Sequence, residues 1–123
     1  MEIKNLFESI SEVVPGEVTE VLLETENLRL ERIVSNGHAT PPGEWYDQET
    51  HEWVLVLKGS AGLRFAGEPG IRVMGPGDAL HIPPHLGHRV EWTESGMKTI
   101  WLALHYWCKE EGKRQAKPGV GDE

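Results

Sequence analysis

Short apolar segments separated by turn residues recur along most of the chain. Eight of them can be interpreted as strands: VTEVLLE, LRLERIV, HEWVLVLK, AGLRF, IRVM, ALHI, HRVEW and TIWLALHY. Each is rich in branched or aromatic residues and is bounded by Gly, Pro, Asn or Asp, which is typical of strands joined by tight turns. A chain of 123 residues with 14 Gly and 8 Pro has room for one such domain. The sequence therefore predicts an all-β fold, a sandwich or barrel of the jelly-roll type.

The two ends of the chain differ from this strand-rich middle. Near the start, the apolar residues that recur at helical spacing are Ile3, Leu6, Phe7 and Ile10. They predict a short N-terminal helix within a lead-in over residues 1–17. The barrel is predicted over residues 18–107, and the polar segment 108–123 is expected to be a flexible, disordered tail.

The charge of the chain limits its partners. Twelve Lys and Arg against 20 Asp and Glu give a formal charge of -8, which disfavours nucleic acids and anionic membranes because these need a basic surface. The runs WVLVL and IWLAL are too short to cross a membrane. The charge therefore favours a small molecule or another protein as the partner. A single Cys cannot form an internal disulfide, so we expect a cytoplasmic protein.

Two clusters of polar residues could carry chemistry. Three of the six histidines, at 81, 85 and 88, lie in HIPPHLGH, where they can converge on one cation; alternatively, only His88 is buried and the other two are exposed in a turn. The second cluster, YDQETHE at residues 46–52, offers carboxylate, amide and imidazole donors. Such mixed donors suit Mn, Fe or Zn, and the alternative interpretation is a solvated acidic turn.

The second cluster and the strand after it follow part of a known motif. The motif is Gly, five residues, His-x-His, three or four residues, Glu, six residues, Gly, and its last two places hold Glu52 and Gly59. Depending on the length of the turn, the two His places hold one of two pairs: Trp45 and Asp47, or Tyr46 and Gln48.

The histidine cluster follows a companion motif, which is Gly, five residues, Pro-x-Gly, two residues, His, three residues, Asn. Matching residues are Gly77, Pro83 and His88, whereas the Gly and Asn places hold His85 and Trp92. With both motifs, the chain resembles a small single-domain cupin of the cupin_2 type over residues 37–106.

The resemblance implies a cupin-type jelly-roll barrel with a divalent metal ion, Zn, Mn, Fe or Ni, in its mouth. The ligands expected for this ion are Asp47, His51, Glu52 and His88, with His85 as an alternative. The residues expected to act as acid or base are Tyr46 and His85, and those expected in the ligand pocket are Trp45, Gln48 and Trp92.

Strand alternation and the motif disagree about the segment HEWVLVLK. Alternation puts His51 on the more apolar face and would turn it inward, whereas the motif turns Glu52 inward. We favour an inward Glu52, with His51 as a ligand at the rim. Alternation also groups Trp92 with His88 on one face and puts His105 on an outer or dimer-facing surface.

Three functions are compatible with these patterns. The first is a metal-dependent cupin that binds a small oxygen-bearing molecule, with a reaction of the dioxygenase or isomerase type. An alternative is a metal-free barrel that binds or senses a small molecule. A third is a purely structural subunit. A homodimer is expected in all three cases, because a barrel this small cannot bury all of its aromatic surface alone.

Overall fold

Eight antiparallel strands make up the fold. The structure, a computed structural model, describes residues 1–12 and 14–107. The strands are β1 (Glu17–Thr25), β2 (Leu28–Ser35), β3 (His51–Lys58), β4 (Ala61–Phe65), β5 (Ile71–Met74), β6 (Ala79–Ile82), β7 (His88–Thr93) and β8 (Thr99–Tyr106). The all-β prediction is confirmed, whereas the predicted tail at 108–123 lies outside the described residues. Within the described part of the chain, no helix has the length and apolar character needed to cross a membrane.

Two sheets form the jelly roll. The larger has the order β1-β2-β8-β3-β6, and the smaller has the order β5-β4-β7. Both sheets contribute to one buried apolar cluster, which contains Val54, Val56, Ala61, Leu63, Phe65, Met74, Ile82 and Trp101. Burial of these side chains is the main driving force for packing the two sheets together.

The inner face of the larger sheet changes from polar to apolar along its strands. Residues of β2, β8 and β3 that pair across the sheet form rows on this face. The row at one end is Arg29, His105 and Glu52, and a row further along is Ile33, Trp101 and Val56. The apolar cluster therefore occupies one end of the barrel and leaves a polar region at the other.

The predicted N-terminal helix is wrong. No residue of 1–12 is helical. Of the predicted apolar stripe, Ile3 and Phe7 are exposed and Leu6 and Ile10 are only partly buried, so the four side chains do not form one buried face. The buried guanidinium of Arg32 instead donates hydrogen bonds to backbone carbonyls of this segment, those of Leu6, Glu8 and Ser9, at 3.2, 2.8 and 3.2 Å. These bonds hold the segment in a non-helical conformation against the outer face of β2.

We predict that Arg32→Met releases this segment. The free energy of unfolding should fall by about 2 kcal/mol, because hydrogen bonds to a charged donor contribute about 1.5–3 kcal/mol and the freed carbonyls recover water. Hydrogen exchange should become faster at residues 6–9, and urea denaturation should measure the loss. Arg72→Met, at an exposed guanidinium paired with Glu68, is the control and should change little. Unchanged exchange at residues 6–9 would contradict the role of Arg32.

Candidate functional site

A cavity of about 320 Å³ lies in the polar region of the barrel. Its apolar wall includes Ile33, Val54, Ile82 and Trp101, all from strands of the larger sheet. The last three belong to the buried apolar cluster, and Ile33 packs against it. The rest of the wall is polar and comes from both sheets and from the segment before β3. This volume is at the lower end of the range of small-molecule sites, roughly 300–1,000 Å³.

An imidazole and a carboxylate face each other across this cavity. Nε2 of His88 on β7 lies 3.6 Å from Oε1 of Glu52 on β3, and both side chains are largely shielded from solvent. Nδ1 of His88 donates a hydrogen bond to the Leu86 carbonyl at 2.9 Å, which leaves Nε2 to exchange protons. Among the described residues, none donates a hydrogen bond to the buried Oε1 of Glu52.

The charge of Glu52 controls the protonation of His88. Burial disfavours the imidazolium and would lower the pKa of His88. The Glu52 carboxylate, the Leu86 carbonyl and the charge of Asp47 act in the opposite direction, and together they raise the pKa of His88 above its ordinary value. The imidazolium of His88 therefore persists to a higher pH than that of an ordinary histidine.

A second polar group lies in the same cavity. Oε1 of Glu31 is 3.3 Å from Nε2 of His105, and Oε2 of Glu31 accepts a hydrogen bond from Nε of Arg29 at 2.8 Å. Burial would raise the pKa of Glu31, but His105 and Arg29 outweigh burial and lower it, so Glu31 is ionised at neutral pH.

The sequence patterns did not place Arg29, Glu31 or His105 in the site. The prediction that His105 lies on an outer surface is wrong, because its side chain is buried and lines the cavity. A usable signal was present in the sequence. His105 lies on the same strand face as Trp101 in β8, and Glu31 lies on the same face as Ile33 in β2. Both polar residues share a strand face with a large apolar residue, and such a face is typical of the interior.

Arg89 positions the remaining polar lining. Its buried guanidinium donates hydrogen bonds at 3.0, 3.0 and 2.8 Å to the backbone carbonyls of Thr40, Pro41 and Glu44. The backbone of Tyr46 then pairs with that of His88, with N–O distances of 2.7 and 3.0 Å. The segment 40–48 is thus held along β7, and the side chains of Tyr46 and Gln48 line the cavity.

The four predicted metal ligands do not converge. Glu52 and His88 line the cavity, which agrees with an inward Glu52, but Asp47 and His51 do not. Asp47 is exposed and pairs with Nδ1 of His85 at 2.8 Å. His51 lies on the outer face of the larger sheet, where its ring stacks on Tyr106 at 4.8 Å between centroids.

The remaining predicted site residues divide in the same way. Tyr46 and Gln48 line the cavity, whereas His85, Trp45 and Trp92 do not. His85 adopts the left-handed backbone conformation, with φ of 63°, which explains why the motif has Gly at its position. The guanidinium of Arg89 lies over the indole of Trp45, with Cζ 6.0 Å from the ring centroid.

A β-bulge explains the position of Trp92. The register between β4 and β7 shifts between Gly62 and Leu63, which pair with Trp92 and Val90. Glu91 is therefore an extra residue on β7, and it reverses the alternation that had grouped Trp92 with His88. The indole lies over Gly62, in the space where a Cβ atom would stand. Trp92 thus packs on the outside of the smaller sheet.

The donor set does not fit the metal centre that the resemblance implies. Among the described residues, no group of three or more His, Cys, Asp or Glu side chains is placed to hold a metal ion. At the places where the motifs expect ligands, the cavity offers the imidazole of His88 and the carboxylate of Glu52. The other two motif positions that line it hold weaker donors, Tyr46 and Gln48. A catalytic zinc ion has three protein ligands of the stronger kind, so this set is one ligand short.

Comparison with known proteins identifies the family. The sequence pattern of the Cupin domain matches residues 33–105. The chain belongs to the cupin family. This cupin is similar to a solved structure from Ralstonia eutropha JMP134, a candidate mannose-6-phosphate isomerase, with 48% identity and a TM-score of 0.84 over 88% of this chain and 100% of that one. No curated protein matches the chain.

More distant cupin-fold structures support the architecture alone. A protein from Thermus thermophilus has 20% identity and a TM-score of 0.69 over 86% of this chain and 97% of that one. The polyketide cyclase RemF from Streptomyces resistomycificus has 22% identity and a TM-score of 0.67, over 86% of this chain and 79% of that one.

Within the first cupin motif, the two His places that line the cavity of this cupin are those given by the three-residue turn, Tyr46 and Gln48.

We predict that Glu52→Gln lowers the pKa of His88, because it removes the carboxylate that favours the imidazolium. An NMR titration of the His88 ring should show a midpoint above that of an ordinary histidine in the wild type, and a lower one in the variant. Glu31→Gln is the matched control, since Glu31 pairs with His105 instead, and it should move the His88 midpoint much less.

The free energy of unfolding should depend on pH through His88. Since folding raises the pKa of His88 above 6.5, its stabilising effect is complete below about pH 6.5 and is lost as the pH rises through the folded-state pKa. The stability difference between wild type and Glu52→Gln should shrink over that interval. A difference that grows with rising pH would contradict this assignment.

Proposed function

We propose that this cupin binds a small, oxygen-rich molecule in its cavity and catalyses proton transfer on it, as an isomerase. The observation that carries the proposal is the shielded Nε2 of His88, which faces Glu52 at 3.6 Å inside a cavity of small-molecule size. The name of the Ralstonia eutropha relative, at 48% identity, supports an isomerase acting on a sugar-like molecule.

The proposed reaction needs a carbonyl compound with a hydrogen on the neighbouring carbon. Nε2 of His88 removes this proton, and the Glu52 carboxylate stabilises the imidazolium that forms. The phenol of Tyr46 stays protonated because burial, with the nearby Glu17 and Glu52 carboxylates, raises its pKa. It can therefore donate a hydrogen bond to the carbonyl oxygen as this oxygen gains negative charge. When the neighbouring carbon also carries a hydroxyl group, Nε2 returns its proton to the former carbonyl carbon and the hydroxyl proton moves to the former carbonyl oxygen. The carbonyl group then lies on the neighbouring carbon, and no electrons are gained or lost.

A metal-dependent reaction is the second candidate. The observation that favours it is the buried Oε1 of Glu52, to which no described residue donates a hydrogen bond, next to the Nε2 of His88. These two residues would supply only two of the ligands of a divalent ion, Zn, Mn, Fe or Ni, and such an ion would supply Lewis acidity if bound. Oxygen atoms of the bound molecule would have to complete its coordination.

We predict that the protein exchanges a carbon-bound proton of a small hydroxy-carbonyl compound in D₂O. Mannose, its 6-phosphate and its 6-amino analogue are the first probes, and proton NMR measures the exchange. Glu52→Gln and His88→Gln should each slow exchange by about 100-fold or more, since general acid–base catalysis contributes that much. Glu68→Gln removes an exposed carboxylate that pairs with Arg72, and this control should retain the wild-type rate.

A chelator distinguishes the two candidates. Equal exchange with and without EDTA favours the metal-free reaction. Loss of exchange with EDTA and its recovery with one added metal favours the second candidate. If no probe is exchanged and none raises the melting temperature, the proposal fails.

We further propose that the protein is a cytoplasmic homodimer, with the outer face of the larger sheet as its interface. One outer row crosses all five strands and contains Leu23, Leu30, Leu104, Trp53 and His81. Leu23 and Trp53 remain 52% and 38% exposed. An apolar row of this length is self-complementary and suits an isologous contact with a second copy. The cytoplasmic location rests on the single Cys.

We predict a dimer at micromolar concentration by size-exclusion chromatography with light scattering. Trp53→Arg should produce a monomer, because it puts a charge in the middle of the apolar row. Val73→Arg is the matched control, since Val73 is an exposed apolar residue of the smaller sheet, and it should remain dimeric. A monomeric wild type would rule out the interface.

A further inference from the structure

Apart from its two imidazoles, the charged side chains that line the cavity are mostly acidic. Among its described lining residues, three carboxylates, those of Glu17, Glu31 and Glu52, accompany one guanidinium, that of Arg29. The guanidinium is already bonded to Glu31 at 2.8 Å. Since its single positive charge offsets only one carboxylate, the balance of the permanently charged groups is negative.

Imidazoles are the groups that can offset the two remaining carboxylates. Nε2 of His88 is 3.6 Å from Glu52, and Nε2 of His105 is 3.3 Å from Glu31. Glu17 faces Nε2 of His38 at 3.8 Å, a separation too long for a strong hydrogen bond. The cavity is therefore neutral or positive only when at least two of these rings are protonated.

The ionisation of neighbouring groups agrees with this negative balance. After burial itself, the carboxylate of Glu17 and then that of Glu52 contribute to the raised pKa of Tyr46. Carboxylates in this wall thus disfavour a further negative charge at the phenol. The same field would act on any anionic group of a ligand placed beside Tyr46.

We propose that the cavity selects its ligand by charge, accepting a small hydroxyl-rich molecule that carries a protonated amine and rejecting phosphate monoesters. This inference rests on the proposed function, because it concerns the ligand of the same site. The proposed ligand therefore differs in charge from mannose 6-phosphate, the substrate in the name of the Ralstonia eutropha relative. An ammonium group could donate to the buried Oε1 of Glu52, to which no described residue donates a hydrogen bond. Hydroxyl groups would meet the amide of Gln48 and the phenol of Tyr46.

A phosphate monoester would lack a suitable partner in this cavity. Arg29 is its only permanent cation among the described lining residues, and Nε of this guanidinium already donates to Glu31 at 2.8 Å. A phosphate bound by the Nη atoms would have to share the single positive charge with Glu31, and a dianion would lie close to that carboxylate. Repulsion between like charges in a partly enclosed site is strong, because little water screens it.

Three sugars that differ only at carbon 6 test the proposal directly: 6-amino-6-deoxymannose, mannose and mannose 6-phosphate. Their dissociation constants are measured by calorimetry on the full-length protein at neutral pH and low salt. We expect the amine to bind at least tenfold more tightly than mannose, and mannose at least tenfold more tightly than the phosphate. Added salt should weaken the preference for the amine.

Removing carboxylates should reduce this preference. Glu17→Gln and Glu31→Gln should each reduce the ratio of phosphate to amine dissociation constants by about tenfold, and Glu68→Gln should leave it unchanged. If Glu31→Gln does not fold because Arg29 loses its partner, Glu17→Gln alone tests the prediction. A ratio unaffected by Glu17→Gln would contradict a role for the cavity charges.

The outcomes separate the inference from the proposed function. Tighter binding of mannose 6-phosphate, or equal binding of all three sugars, overturns charge selection. If that binding still depends on Glu52, the proposed function stands. If none of the three sugars binds, or if binding is the same in Glu52→Gln, both the inference and the proposed function fail.

Discussion

The site depends on the guanidinium of Arg89. Its hydrogen bonds to three backbone carbonyls fix the segment 40–44, which has no regular strand of its own. The backbone pairing of Tyr46 with His88 continues from this anchor. Further along the segment, the Gln48 carbonyl accepts a hydrogen bond from the His85 N–H at 2.8 Å, so Tyr46 and Gln48 are held opposite the imidazole. A buried charge that satisfies several carbonyls at once can order an irregular segment that apolar packing alone would leave variable.

The polar cavity is possible because the carboxylates of Glu31 and Glu52 each face an imidazole on another strand. Glu52 faces His88, and Glu31 faces both His105 and Arg29. Isolated carboxylates at this depth would be strongly disfavoured. The apolar cluster, which adjoins the cavity through Val54, Ile82 and Trp101, supplies the stability that a polar interior lacks. This arrangement lets a chain of 123 residues hold an ionisable site without losing its core.

Sequence patterns predicted some positions correctly and failed at others for identifiable reasons. The family motif oriented Glu52 correctly where alternation would have turned His51 inward, because the more apolar face of β3 lies on the outside of the barrel. The extra residue Glu91 reversed the direction of Trp92. The helical spacing at the N-terminus did not produce a helix, because Arg32 binds backbone carbonyls of this segment that a helix would have used.

By itself, the sequence determined the all-β class, the strands of the barrel, the cupin resemblance and the pairing of Glu52 with His88 in one site. These follow from local patterns of side-chain size, turn residues and motif spacing. Only the tertiary structure decided that Arg29, Glu31 and His105 join the site, while Asp47, His51 and Trp92 do not. The reason is that convergence depends on strand register, bulges and hydrogen bonds between distant residues, which no local pattern contains.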